Sequence, residues 1–151
     1  MFRPTVVVAP TDFSDAAAGA VETAAGIASR TGAKLVLVHV VPMLPTLPAS
    51  VSIFKEGEYE RSLQEDAGRR LAALAAKYTQ AGIAVETEIG LANEVAGEIN
   101  LISKKHGADL IVIATHGMTG WNAYAFGSVA EKVLRTSPVS VFVIKGPPGA
   151  A

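Results

Sequence analysis

No cysteine occurs anywhere in this chain, which excludes a disulfide framework, a thiol nucleophile and any cysteine-ligated metal. Lysine and arginine never run longer than a pair and the formal net charge is −1, so the basic face that nucleic-acid binding draws on is missing, and nucleic acid is set aside as a partner. Apolar runs are short. The one near the N-terminus stops at Pro10 and Asp12, too soon for a signal-peptide core or a membrane span, so the expected location is the cytoplasm, with no membrane contact. Neither GxxxxGK[ST] nor GxGxxG is present, so a phosphate site, if there is one, must be argued from context. His39, His106 and His116 have no carboxylate or second histidine at ligand spacing, which gives no metal triad. Ser14 and Ser128 lack a GxSxG elbow or a visible histidine–acid pair, so no catalytic residue is assigned.

What remains is aliphatic. Hydrophobic residues make up 50% of the 151 positions and aromatics only 6%, a balance that suits helices packed on a Val/Ile-rich sheet in one domain. Thr5 to Ala9 reads as a strand buried on both faces. Ser14 then caps a helix carrying Ala17, Ala20, Val21, Ala24, Ile27 and Ala28 at helical spacing as far as Gly32. Lys34 to Val41 is a second buried strand ending at Pro42, followed by a proline-bearing loop and a long amphipathic helix from about Lys55 to Ala81. VETEI, Val85 to Ile89, alternates like a half-exposed edge strand; Gly90 turns the chain and Asn93 caps a helix with Val95, Ile99 and Ile102 inward. Leu110 to Ile113 is a fourth strand, Ser128 opens a helix to about Thr136, and Val139 to Ile144 is the last strand. Strict alternation predicts an α/β fold: an open parallel sheet with helices on both faces. The domain is expected over 1–145, with 146–151 as a loose Gly/Pro/Ala tail.

In such sheets ligands bind beyond the carboxyl ends of the strands where the winding reverses. Those ends carry Pro10-Thr11-Asp12, Val40-Val41, and the loop that begins at Ala114 and Thr115. The stretch from Ile111 to Val129 is the centre of the prediction: a strand, glycines Gly117 and Gly120, then Gly127-Ser128 at a helix start, an order of parts that offers backbone N–H groups to an anion. Asp12 can accept from ribose hydroxyls or adenine donors, Val40 can pack on a purine, and His116 can face phosphate. Each of these has a plainer explanation as well: a turn residue, a core valine, a loop-structuring histidine, and an ordinary turn and cap for the glycines and Ser128.

Pro10-Thr11-Asp12-Phe13-Ser14, Leu37-Val38-His39-Val40, and His116-Gly117 through Gly127-Ser128-Val129-Ala130-Glu131-Lys132-Val133, in this order and spacing, resemble the universal stress protein family. The resemblance implies a five-stranded parallel sheet in the order 3-2-1-4-5, a homodimer and, in one subgroup, ATP bound through a G-2x-G-9x-G(S/T) motif. On that motif Gly117 is the second glycine, Met118 to Phe126 are the spacer and Gly127-Ser128 the closing pair, but the first glycine is replaced by Ala114. By this resemblance Pro10, Asp12 and Val40 correspond to the adenosine side, and Thr115, Gly117, Gly127, Ser128 and Val129 to the ribose-phosphate side. Thr11, Ala114 and His116 are further positions expected in the binding site. The implied ligand is ATP, or AMP or ADP, with Mg²⁺ or Mn²⁺ held through the phosphates. The implied dimer pairs the Val139 to Ile144 edge with its copy. The leading expectation is a nucleotide-binding stress-response module rather than an enzyme. The alternatives are a slow ATPase or self-phosphorylating protein, with Ser128 or Thr119 as acceptor, and a ligand-free dimeric scaffold.

Overall fold

The computed structural model describes residues 1–43, 53–115 and 127–145, with side chains in the second span from Gly57 onward. Five strands, β1 (Val6–Pro10), β2 (Lys34–Pro42), β3 (Val85–Ala92), β4 (Leu110–Ala114) and β5 (Ser140–Ile144), alternate with four helices, α1 (Asp15–Thr31), α2 (Ile53–Gln80), α3 (Val95–Lys105) and α4 (Ser128–Thr136). All pairings are parallel, and the sheet order is β3-β2-β1-β4-β5. The winding therefore reverses at β1, whose two neighbours are β2 and β4.

Local chemistry sets most boundaries. The Ser14 hydroxyl accepts from the Ala17 N–H at 3.2 Å, and Gly32, in the left-handed region at φ +76°, ends α1, because only glycine takes that conformation without a Cβ penalty. The central strands β1, β2 and β4 are buried on both faces. Val7, Ala9, Leu35, Leu37 and Val112 pack under the alanine-rich side of α1 and under Leu71 and Tyr78 of α2. Val8, Val36, Val38, Ile111 and Ile113 pack under Ile99 and Ile102 of α3 and Val133 of α4. Period-two alternation divides each strand between the two cores.

Two expectations change. Gly90 does not turn the chain, since β3 continues to Ala92 in register with Pro42. Glycine is needed there because α3 crosses close by: a Cβ at residue 90 would lie 2.6 Å from Glu98 Cγ. Asn93 does not cap α3 either. Glu94 does, its carboxylate accepting from Ala96 N–H at 3.0 Å and Gly97 N–H at 2.8 Å. A glutamate at that position reaches two orphan donors at once and places its charge at the positive end of the helix.

β3 lies at an edge, as the alternation of apolar and acidic residues in VETEI predicts. Its α3-facing side is polar: Glu88 meets Lys105 at 2.7 Å and the His106 imidazole, while Glu86 meets Lys34 at 3.1 Å and His106 Nδ1 at 3.3 Å. Burial pushes the Glu88 carboxyl up, but the hydrogen bonds and charges of Lys105 and His106 outweigh it and hold the group below its ordinary value. His106 thus has carboxylate partners that sequence spacing hides, brought to it by sheet register.

Candidate functional site

The carboxyl ends of β1, β2 and β4 open into a cavity of about 230 Å³ between the amino-terminal ends of α3 and α4. Pro10, Thr11, Asp12, Val40, Ala114, Thr115, Gly127, Ser128 and Val129 all line it, so nine of the eleven positions predicted from sequence converge. His116 and Gly117, with the whole nine-residue spacer, lie outside the described residues. The floor is apolar, made by Val38, Val40, Ile99 and Ile113, and Val95 of α3 adds to the apolar lining. Sequence reasoning assigned Val95 and Ile99 to the core face of a helix. Their spacing fits that role and they do pack in that core, while the placement of α3 over the strand ends also makes them part of the cavity lining. His39 also lines it, and its position on β2 beside Val40 was the available signal.

The β1–α1 turn forms one wall. Thr11 continues the β2 pairing, donating its N–H to Val38 O at 2.8 Å, and its own carbonyl lies 2.8 Å from His39 Nδ1. Thr11 Oγ1 accepts from Phe13 N–H at 3.0 Å, and Asp12 Oδ1 accepts from Ser14 N–H at 3.0 Å. Between these two side-chain turns Phe13 has φ +65°, the one positive value at a non-glycine residue among those described. For a bulky L-residue that costs about 1 kcal/mol or more.

The opposite wall is the start of α4. Gly127, not Ser128, is the residue that precedes the helix, and among the described residues no side chain caps it. Ser128 is the first helical residue and is exposed. The amino end of α4 therefore meets the cavity rim carrying orphan N–H groups and the positive end of the helix dipole, the arrangement that favours an anion. Thr115 and Gly127 are tied together, Thr115 donating to Ile144 O at 2.9 Å and Gly127 to the Thr115 carbonyl.

Ala114, which replaces the first glycine of the motif pattern, is the last residue of β4, paired with Ile144. Its φ is not positive. It belongs to the core under α1, whereas its neighbour Ile113 belongs to the core under α3 and α4, the side on which the cavity floor lies. By strand alternation the Ala114 methyl is directed away from that floor. The replaced glycine thus imposes neither backbone strain nor a methyl group on the apolar floor. No group of three or more His, Asp or Glu side chains arranged to hold a metal occurs among the described residues.

A profile of the Universal stress protein family matches residues 4–145. The chain belongs to the universal stress protein family. A family member from Methanocaldococcus jannaschii is 33% identical over 144 residues, covering 93% of this chain and 82% of that protein. The solved structure of the universal stress protein UspA from Lactobacillus plantarum superposes with a TM-score of 0.85 at 26% identity, covering 95% of this chain and 99% of the other. A universal stress protein from Archaeoglobus fulgidus, solved in complex with dAMP, has a TM-score of 0.62 at 23% identity, covering 95% and 98% of the two chains, and shares the fold. The strand order seen here is the one that resemblance to the family predicts. Among the described residues no helix is long and apolar enough to cross a membrane.

Proposed function

We propose that this universal stress protein binds an adenine nucleotide in the cavity beyond β1, β2 and β4 and acts as a ligand-responsive module in a stress response. One observation carries the reading: an apolar floor is flanked on one side by Asp12 and on the other by the amino end of α4, which no side chain among the described residues caps. A flat aromatic base suits the valine and isoleucine floor, ribose hydroxyls suit a carboxylate acceptor, and phosphate suits Gly127-Ser128. The cavity, at about 230 Å³, is smaller than the roughly 300–1,000 Å³ of sites that enclose a drug-sized ligand. The reading therefore seats the nucleoside inside and carries the phosphates out along the start of α4, with His116 and Gly117 as further contacts. Mg²⁺ or Mn²⁺ then enters with the phosphates, whose oxygens suit a hard cation.

The experiment is isothermal titration with ATP and AMP, with and without Mg²⁺, on the wild type and Asp12→Ala. One nucleotide per chain is expected, with affinity falling roughly tenfold in the variant, the loss of one or two charge-assisted hydrogen bonds. Absence of binding by every adenine nucleotide at millimolar concentration refutes the reading. The reading also includes a homodimer. β5 is an edge strand whose Phe142 is 47% exposed, and an apolar edge with unpaired N–H and C=O groups is best covered by a two-fold copy. A monomeric mass by light scattering at micromolar concentration refutes that part.

A further inference from the structure

Phe13 presents a contradiction that calls for a function. Glycine or asparagine would take φ +65° at little cost, yet an aromatic residue stands there. Backbone strain of this kind persists only where surrounding contacts hold it, and the contacts are visible. The Arg70 guanidinium carbon of α2 lies 4.2 Å from the centroid of the Phe13 ring, and the His39 ring lies 4.7 Å from it, tilted by 33°. His39 is itself fixed by the Thr11 carbonyl, and Thr11 by the Val38 carbonyl. The ring therefore packs between α2 and β2, while its backbone is the hinge on which the chain changes direction from β1 into α1.

We infer that Phe13, pinned by Arg70 and His39, is a positioning residue that aims the Asp12 carboxylate at the cavity. The left-handed turn at residue 13 lets two requirements be met together: Asp12 lines the cavity while its Oδ1 accepts from Ser14 N–H, and Ser14 caps α1. With residue 13 in an ordinary α or β conformation the chain would leave Asp12 in another direction and one of the two would be lost. A cation over the ring face and an imidazole beside it are attractive contacts that only an aromatic side chain supplies. They offset the strain and keep the turn in one state before any ligand arrives. This inference rests on the nucleotide reading for what Asp12 touches, but not for how the turn is held.

Two measurements test it. The first needs no ligand: amide hydrogen exchange at Phe13 and Ser14 in the wild type, Phe13→Leu and Arg70→Met. Both amides are expected to exchange at least about tenfold faster in each variant, while the β1 and β2 amides keep their protection. Arg70 is on the surface, so Arg70→Met retains the fold if Phe13→Leu does not. Unchanged exchange at both amides overturns the inference. The second is a double-mutant cycle for adenosine and ATP over Asp12→Ala and Phe13→Leu. Each single variant is expected to lose about tenfold in affinity and the double variant no more than Asp12→Ala alone, a coupling of about 1.4 kcal/mol. Additive losses overturn the positioning role. If the wild type binds no adenine nucleotide, the proposed function falls, and the exchange measurement alone decides whether the ring holds the turn.

Discussion

Replacing Ala114 with glycine completes the family's G-2x-G-9x-G(S/T) spacing, and the expected result is a less stable protein that binds nucleotide no better. Ala114 pairs with Ile144 in the sheet, has no positive φ and is 9% exposed. Removing its methyl from the core under α1 loses about 0.8 kcal/mol of burial. The freedom glycine gains in the unfolded chain removes about 0.5–1 kcal/mol more. Together the loss is about 1.5 kcal/mol, which for a domain of this size lowers Tm by roughly 3–6 °C. Binding is expected to stay within about twofold, because strand alternation turns the methyl from the cavity floor and no strained backbone is relieved. Thermal unfolding reads the first quantity. The chain holds a single tryptophan, Trp121, within the nine-residue spacer, so its fluorescence offers a titration signal for the second. A tenfold tightening for ATP in Ala114→Gly would mean that the methyl crowds the nucleotide, and the geometric reasoning would be wrong.

Two further predictions concern the frame around the site. Leu71 of α2 is 1% exposed in the core shared with α1; Leu71→Ala is expected to lose about 2–5 kcal/mol in urea unfolding, with the midpoint shifted and the slope unchanged, and a loss below about 1 kcal/mol would contradict the packing described. Asp109 Oδ2 accepts from the Thr5 hydroxyl at 2.7 Å and from the Thr5 and Val6 N–H groups at 2.6 and 3.0 Å, which hold its carboxyl below the usual aspartate value. A carboxyl depressed in the folded state stabilises above its unfolded pKa of about 3.9 and loses that contribution as pH falls through the folded value. Asp109→Ala should therefore be about 1–2 kcal/mol less stable than wild type at pH 7. The gap should narrow below about pH 4, and an equal Tm difference at pH 7 and pH 3 would refute this account.

Much of this organisation is legible in the residues. Ser14 and Gly32 mark the ends of α1 because a hydroxyl acceptor and a residue free to take positive φ satisfy local needs that hold wherever the helix packs. The strands are legible because continuous Val/Ile/Leu runs are tolerable only where both faces are covered. The glycine at position 90 misleads for the opposite reason: its cause is the approach of Glu98 on α3, which no local pattern records. Glu94 displaces Asn93 as the cap because the helix starts one residue later than the short-side-chain rule suggests. His106 looked unpartnered because Glu86 and Glu88 reach it through sheet register rather than along the chain.

The sequence alone determined an alternating α/β chain, its element types, the likeness to universal stress proteins, and three loop stretches at strand ends expected to meet at one site. Those are consequences of periodicity, caps and breakers, which act over a few residues. Tertiary structure decided which way each side chain faces. It gave Ile99, a core residue, and Val95, packed against that core, a second place in the lining of a cavity, turned the Ala114 methyl away from the cavity floor, and set Phe13 between Arg70 and His39. All three depend on which elements cross one another and in what register, and those relations join residues far apart in the chain.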